Sequence, residues 1–409
     1  MVEVKKIAMI YRAIGTCGGI QRGASFQIRQ FREWGYEPVV LTEADLGTDG
    51  NRAERLEKAL REHQVNLVIE HDAYDESKLS ADIATAHRVH IPIVVFWHSV
   101  FSWMFATGNS RALTFSMLLR QSDAVIALSK MDEAYFRMVG CRSLAIHYRD
   151  TDLMDGFVRT AHPHRVVWMG RFVPLKRPLD AIRIVERLQT IVPDAELVML
   201  GDGSPGEREE LQRYLRDRPA LRSAVHLEGY QENVRPYLEV AGAGLVTSRF
   251  EGYCHAIVEM KMASLPVVSY AMPYLETLDE GTGSLQVPQG DVESAAAALA
   301  RLFQDPEECR LQGITARKAF ADLCSFDERG AYERLFADLE RPRAESTLTV
   351  VSPEMSARVL DVLMDHAVMG FSAVSARIRR KTEERERGVL GFRGKIARLL
   401  LKAGRRLCD

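Results

Sequence analysis

Ala243-Gly244-Leu245-Val246-Thr247-Ser248-Arg249-Phe250-Glu251-Gly252-Tyr253-Cys254-His255-Ala256-Ile257-Val258-Glu259 passes from a short apolar run, through a polar loop with a glycine, into helical spacing. Pro266 to Tyr270 is a second strand-like run. Strand, loop, helix and strand make a βαβ unit, which calls for a parallel sheet covered by helices. The alternation extends both ways. Val166–Gly170, Ala195–Leu200 and Val225–Leu227 precede it and Leu285–Pro288 follows, with helical patterns over Pro178–Thr190 and Val292–Phe303. The first half has its own series: Ile7–Tyr11, Pro38–Leu41, Val65–Ile69, Ile91–Trp97, Ala124–Leu128 and Leu144–His147, with helical spacing over Ala53–Glu62 and Lys78–His87. The prediction is two doubly wound α/β domains, 1–163 and 164–340, parted near Ala161-His162-Pro163-His164. Ligands of such sheets bind beyond the carboxyl ends of the strands, so two facing sheets imply one interdomain cleft with a hinge.

Composition narrows the class. Of 409 residues, 46% are apolar and 27% charged, which excludes a disordered chain. A net charge of -2 argues against whole-surface nucleic-acid binding. The charge is unevenly placed: from Arg341 onward there are 15 Lys/Arg against 8 Asp/Glu, a net of +7, leaving -9 for the rest. The six cysteines include no C-x-x-C pair, which suits a reducing compartment and offers no zinc or disulfide framework. No signal peptide is read at the N-terminus and no run of 18 apolar residues occurs, so the expectation is a cytoplasmic protein without a membrane span. Residues 341–409 read as a helical basic extension. In Lys395 to Leu407, Ile396, Leu399, Leu400, Ala403 and Leu407 share one helical face while Arg398, Lys402, Arg405 and Arg406 lie largely elsewhere. Such a helix can lie on anionic lipid, peripheral on the inner face of a membrane, or pack its stripe on the body or another subunit.

Four segments carry candidate chemistry. Gly15-Thr16-Cys17-Gly18-Gly19 follows the first strand and precedes a helix, where backbone N–H groups can meet an anion. Gly201-Asp202-Gly203-Ser204-Pro205-Gly206 fits G-x-G-x-x-G, but its place in the second series marks a nucleotide-side turn rather than a NAD fingerprint. Arg171 and Lys176 stand five apart beyond a strand end, where a planar fork and a point charge could hold a diphosphate; a solvated basic loop is the plainer alternative. Glu251 and Glu259 enclose seven residues across a helix start, and carboxylates accept hydrogen bonds from sugar hydroxyls. The backbone N–H groups of Tyr253, Cys254 and His255 would face an anion there.

Taken together, Arg171 with Lys176, Glu251-x7-Glu259, Gly18-Gly19 and Pro266-Val267-Val268 resemble family-4 retaining glycosyltransferases of GT-B fold, through roughly Lys6 to Glu340. The resemblance implies a nucleotide-diphosphate sugar as co-substrate, with no other cofactor and no metal. It implies catalytic roles for Arg171 and Lys176 on the diphosphate, for Glu251 on the sugar hydroxyls and for His98, in Phe96-Trp97-His98-Ser99, beside the sugar. Glu259 would hold the ribose, Tyr230 and Gly203 would lie on the base side, and Gly18, Gly19, Tyr253, Cys254 and His255 would complete the donor site. His71 could line the acceptor cleft, though a structural role is the plainer reading. The implied partner is a glycan or lipid-linked acceptor in surface polysaccharide or glycolipid synthesis. The alternatives are a sugar-nucleotide epimerase of similar fold, or a non-catalytic sugar-nucleotide-binding partner of a transferase. The chain departs from the family at Met260, where Ala is usual, at Ser264, where Gly is common, and at Cys254-His255.

Overall fold

A computed structural model describes residues 4–14, 19–107, 111–147, 164–371, 374–375 and 378–380. Gly18 and residues 395–407 lie outside these, so the expectations placed on them concern residues that are not described.

All twelve predicted strands form. β1 (Lys6–Tyr11), β2 (Glu37–Thr42), β3 (Leu67–Glu70), β4 (Ile93–Phe96), β5 (Ala124–Ala127) and β6 (Ser143–Ala145) make one sheet in the order β2-β1-β3-β4-β5-β6. β7 (Arg165–Met169), β8 (Glu196–Leu200), β9 (Val225–Gly229), β10 (Ala243–Val246), β11 (Val267–Tyr270) and β12 (Ser284–Val287) make the second, in the order β12-β11-β10-β7-β8-β9. Every pairing is parallel. The central strands are buried on both faces, as helix-covered parallel sheets require: β3, β4, β5, β10 and β11 are buried at each position. Strand order reverses between β1 and β3 in the first sheet and between β7 and β10 in the second. Those reversals open the crevices where doubly wound sheets take ligands.

Chain order and packing part company after the second sheet. The helix Glu328–Leu339 lies in the stretch read from sequence as the second domain, yet it packs on the first. Tyr332 stacks edge-on with Phe31 at 4.8 Å and hydrogen-bonds Gln27, and Arg142 faces Asp338 at 3.5 Å. Its apolar face completes the first sheet's core, which periodicity alone cannot locate.

A further helix, 353–371, seats Val359 and Val362 in a core shared by both lobes. Buried His366 on the same face bonds Ser102 Oγ of the first lobe at 2.5 Å and meets the rings of Phe250 and Tyr274 from the second at 5.1 and 5.7 Å. Burial drives its pKa down to about 4 from the usual 6.5, with Asp365 opposing the shift and Arg249 adding to it. Below pH 6.5 the unfolded chain therefore binds a proton that the folded chain refuses. The contribution is complete above 6.5 and drains as pH falls towards 4, at up to about 1.4 kcal/mol per pH unit. His366→Asn should destabilise at pH 7, and thermal midpoints should show the gap to wild type narrowing at pH 5. A gap independent of pH would contradict this.

Candidate active site

Two loops flank the β7/β10 reversal, and the structure locks them together. The loop after β7 carries Arg171 and Lys176; that after β10 carries Glu251. Trp168 Nε1 donates to Thr247 Oγ1 at 2.8 Å, and that hydroxyl reaches the carbonyls of Lys176 and Arg177 at 2.7 and 3.0 Å. The Arg249 N–H donates to Leu175 O at 2.8 Å. Gln289 ties both, accepting from Arg177 Nη1 at 3.0 Å and donating towards the carbonyls of Ser248 and Ala271. Arg177 turns left-handed, φ 48°, immediately before Pro178 starts the next helix.

At this junction Lys176 Nζ is ion-paired with Glu251. Both side chains are largely buried, and the Glu251 N–H donates to the Tyr274 hydroxyl at 3.1 Å, which sets the loop's height. Burial works against the Lys176 charge, but Glu251 outweighs burial and the repulsion of Arg171, and the ammonium is held above its usual range. Arg171 itself is exposed at the mouth. Burial, then Glu251, pushes the Cys254 thiol well up, so it is a neutral thiol and no nucleophile.

The helix after Glu251 begins at His255, with buried Glu259 in its second turn. Cys254 caps it at φ 62°, a left-handed conformation that costs a non-glycine residue about 1 kcal/mol or more. Ser264 is also left-handed, φ 59°, where the family commonly has Gly. Met260, the other departure, is fully buried against Gly244 of β10. Tyr253 goes elsewhere: its ring is buried in the seam between the lobes, lining a cavity of about 120 Å³ with His147, Lys261 and Phe320. Its backbone remains beside the helix start, next to the Cys254 cap.

The base-side residues follow from strand-end stitching. The Gly170 N–H donates to Leu200 O at 2.9 Å, Gly201 N–H to Gly229 O at 2.7 Å and Phe172 N–H to Asp202 O at 2.8 Å. Gly203 lies against Phe172, next to Arg171, and Tyr230 is half exposed just beyond β9. Gly201, at φ 140°, approaches Gly170 so closely that a side chain would come within 1.9 Å of its carbonyl oxygen. The first two glycines of G-x-G-x-x-G, Gly201 and Gly203, thus serve strand-end packing beside the Arg171 loop, while Gly206 lies in the following helix with open space around it.

The first lobe contributes a histidine pair. His71, beyond β3, and His98, beyond β4, meet at 2.9 Å through Nδ1 and Nε2. Tyr11 stacks on His71 at 4.2 Å and Phe96 on His98 at 4.4 Å. Burial, then His255 from the other lobe, lowers the His98 pKa to about 3; burial, then His98, lowers that of His71 well below its usual value. Both rings are therefore neutral and share one proton at their contact. His71 Nε2 is buried with no hydrogen-bond partner among the described residues. An orphaned acceptor is better tolerated there than an orphaned N–H, which places the proton of His71 on Nδ1. His71 then donates to His98 Nε2 and leaves His98 with its proton on Nδ1. Sequence reading missed this partnership, because it rests on β3 pairing with β4 (Glu70 against Val95), a neighbour relation that local spacing does not encode.

The lobes touch here. A side chain at Gly252 would lie 2.7 Å from His98 O and 3.0 Å from Ser99 Cα, so only glycine lets the Glu251 loop abut the His98 turn. Gly19 begins the helix Gly19–Glu33 after β1. One compact arrangement thus joins Arg171, Lys176, Glu251 and Cys254 to His255, His98 and His71 across the lobes, with Glu259 behind. It can place cations against one end of a ligand and neutral hydrogen-bonding groups and a carboxylate against the other.

Comparison with known proteins bears on the same region. Residues 163–305 match the family model for glycosyl transferases group 1. Over 141 residues the chain is 31% identical to the lipopolysaccharide core biosynthesis glycosyltransferase LpsE of Rhizobium meliloti, covering 34% of this chain and 39% of that one. It is 24% identical over 144 residues to the poly(glycerol-phosphate) alpha-glucosyltransferase of Bacillus subtilis, covering 35% of this chain and 21% of that one. The chain thus spans well under half the length of either relative. Among solved structures, Anabaena HepE in complex with UDP and glucose superimposes with a TM-score of 0.65 at 17% identity, over 83% of this chain and all of that one, which shows the fold. The fold is GT-B, and it is residues 163–305, which hold Arg171, Lys176, Glu251 and Glu259, that match the glycosyl transferases group 1 model.

Proposed function

We propose that this protein transfers a sugar, with retention at the anomeric carbon, from a nucleotide-diphosphate sugar to a glycan or lipid-linked acceptor in surface polysaccharide or glycolipid synthesis. The observation that carries the reading is the buried Lys176–Glu251 pair beside Arg171, set at the β7/β10 reversal and followed by Gly252, which abuts the His98 turn. An incoming diphosphate draws Lys176 and Arg171, and Glu251 turns to the sugar hydroxyls. The acceptor oxygen forms its bond to C1 on the face from which the bond to the diphosphate oxygen breaks. The acceptor's proton passes to that departing oxygen, and the two cations hold the charge left on the phosphates. This division of labour needs no divalent ion. His98 contributes an Nδ1–H to the sugar rather than charge, and His71 is a positioning residue that sets the tautomer. The relatives' names point to surface glycans, and HepE was solved with UDP and glucose, which supports a nucleotide-sugar donor. Among the described residues no helix is long and apolar enough to cross a membrane. On this reading the protein works at the cytoplasmic face, attached peripherally.

Incubation with a panel of UDP-, GDP- and ADP-sugars, with nucleotide release followed and product anomers read by NMR, tests it. At least one donor should turn over with its α or β configuration kept. Inverted product would overturn retention. Tight donor binding without turnover would favour the non-catalytic partner, and release of an isomerised sugar nucleotide the epimerase.

A further inference from the structure

The helix 353–371 is apolar on two opposite sides. Its inner face, with Val359, Val362 and His366, is seated on both lobes. On the outer side Leu360 is 52% exposed, Met364 65%, Val368 63% and Phe371 77%. At about 100° per residue these four fall within an arc of roughly 80°, along about 16 Å of helix. Twelve large apolar side chains are exposed among the described residues; four line this stripe, and Ile378 follows. A stripe of this kind marks a contact surface.

From the stripe and the charge that follows it, we infer that this outer face lies on an anionic membrane surface. Arg379 and Arg380 come directly after it and are exposed. Residues 377–406 hold 12 Lys/Arg against 3 Asp/Glu, so anionic headgroups complement this end of the chain. Counted from Leu360 at about 100° per residue, Val368 lies at about 80°, Asp361 at about 100°, Asp365 at about 140° and Arg358 at about 160°, so these charges border one edge of the stripe, where headgroup water can hold them. No described helix can span a bilayer, so the contact is one of lying on the surface. The consequence concerns the cleft. His366 on the inner face touches Phe250, the residue before Glu251, and Ser102, three residues from the Ser99 turn. Docking therefore sets the rim of the cleft about one helix diameter, roughly 10 Å, from the lipid. This deepens the proposed function, on which it rests for the lipid-linked or surface acceptor.

The test uses the full chain. Co-sedimentation with vesicles of phosphatidylglycerol and phosphatidylcholine should bind wild type, and vesicles of phosphatidylcholine alone should bind it at least ten-fold less. Leu360→Ser/Met364→Ser/Phe371→Ser, which keeps every basic residue, should lose at least ten-fold in binding with an unchanged thermal midpoint, since all three side chains are exposed. Arg379→Glu/Arg380→Glu should lose binding mainly at low salt. Binding of the triple variant within two-fold of wild type would overturn the inference, as the remaining tail would then suffice. So would absence of vesicle binding by wild type, or a lipid-free dimer by light scattering that the triple variant reduces to a monomer. Donor hydrolysis in solution should be equal for wild type and triple variant, so the outcome here is separable from that at Lys176.

Discussion

Lys176→Ala should lower turnover of the cognate donor by about 100- to 1,000-fold, the usual cost of deleting one preplaced group that meets developing charge. The loss should fall on kcat more than on KM, because phosphate charge grows as the sugar bond breaks. Lys176 is suited to this: it is largely buried, its charge is secured by Glu251, and its carbonyl is held by Thr247. The deletion also leaves Glu251 without its cation. Glu251→Gln is the companion measurement. It keeps the shape of the site but removes the carboxylate, so it should weaken sugar binding while nucleoside diphosphate binding stays near wild type. If Lys176→Ala turned over donor like wild type, with Arg171 intact, the assignment of the diphosphate to this loop would fail.

The largest effect on stability is expected at Asp82. Arg52 reaches it through Nε at 3.0 Å and Nη2 at 2.7 Å, and both side chains are almost fully buried. Asp82→Ala would leave the guanidinium in the first lobe's interior without its carboxylate, a loss of about 3–5 kcal/mol. The effect reaches the site because Glu70 lies alongside. Burial, then Asp82, pushes the Glu70 carboxyl well above its usual range, so it stays protonated next to the ion pair. Its Oε1 accepts the Asp72 N–H at 2.7 Å, at the turn that presents His71. Chemical denaturation should show the loss, and Arg52→Met/Asp82→Leu should be more stable than Asp82→Ala, since no charge is then left buried and unpaired. A stability for Asp82→Ala within 1 kcal/mol of wild type would contradict this account.

The strands were legible because each is a short run rich in Val, Ile and Leu, bounded by turn residues and buried on both faces; that pattern survives in one dimension. Arg171, Lys176 and Glu251 were legible as chemistry at strand ends. Their joining was not, since β7 and β10 are neighbours although some seventy residues separate them. The His71–His98 pair, Tyr253 turning into the seam and Glu328–Leu339 crossing to the first lobe were hidden for the same reason.

The alternation of apolar runs and amphipathic stretches dictated two parallel-sheet lobes and brought cations and carboxylates to their loop ends, because strand and helix periods are local properties of a chain. Which ends meet is settled by the packing of one lobe on the other: at Gly252, where the absence of a Cβ lets the Glu251 loop rest on the His98 carbonyl, and at His366, where one buried ring bridges both lobes. Contacts of that kind depend on distances across the fold, and a linear order of residues carries no measure of them.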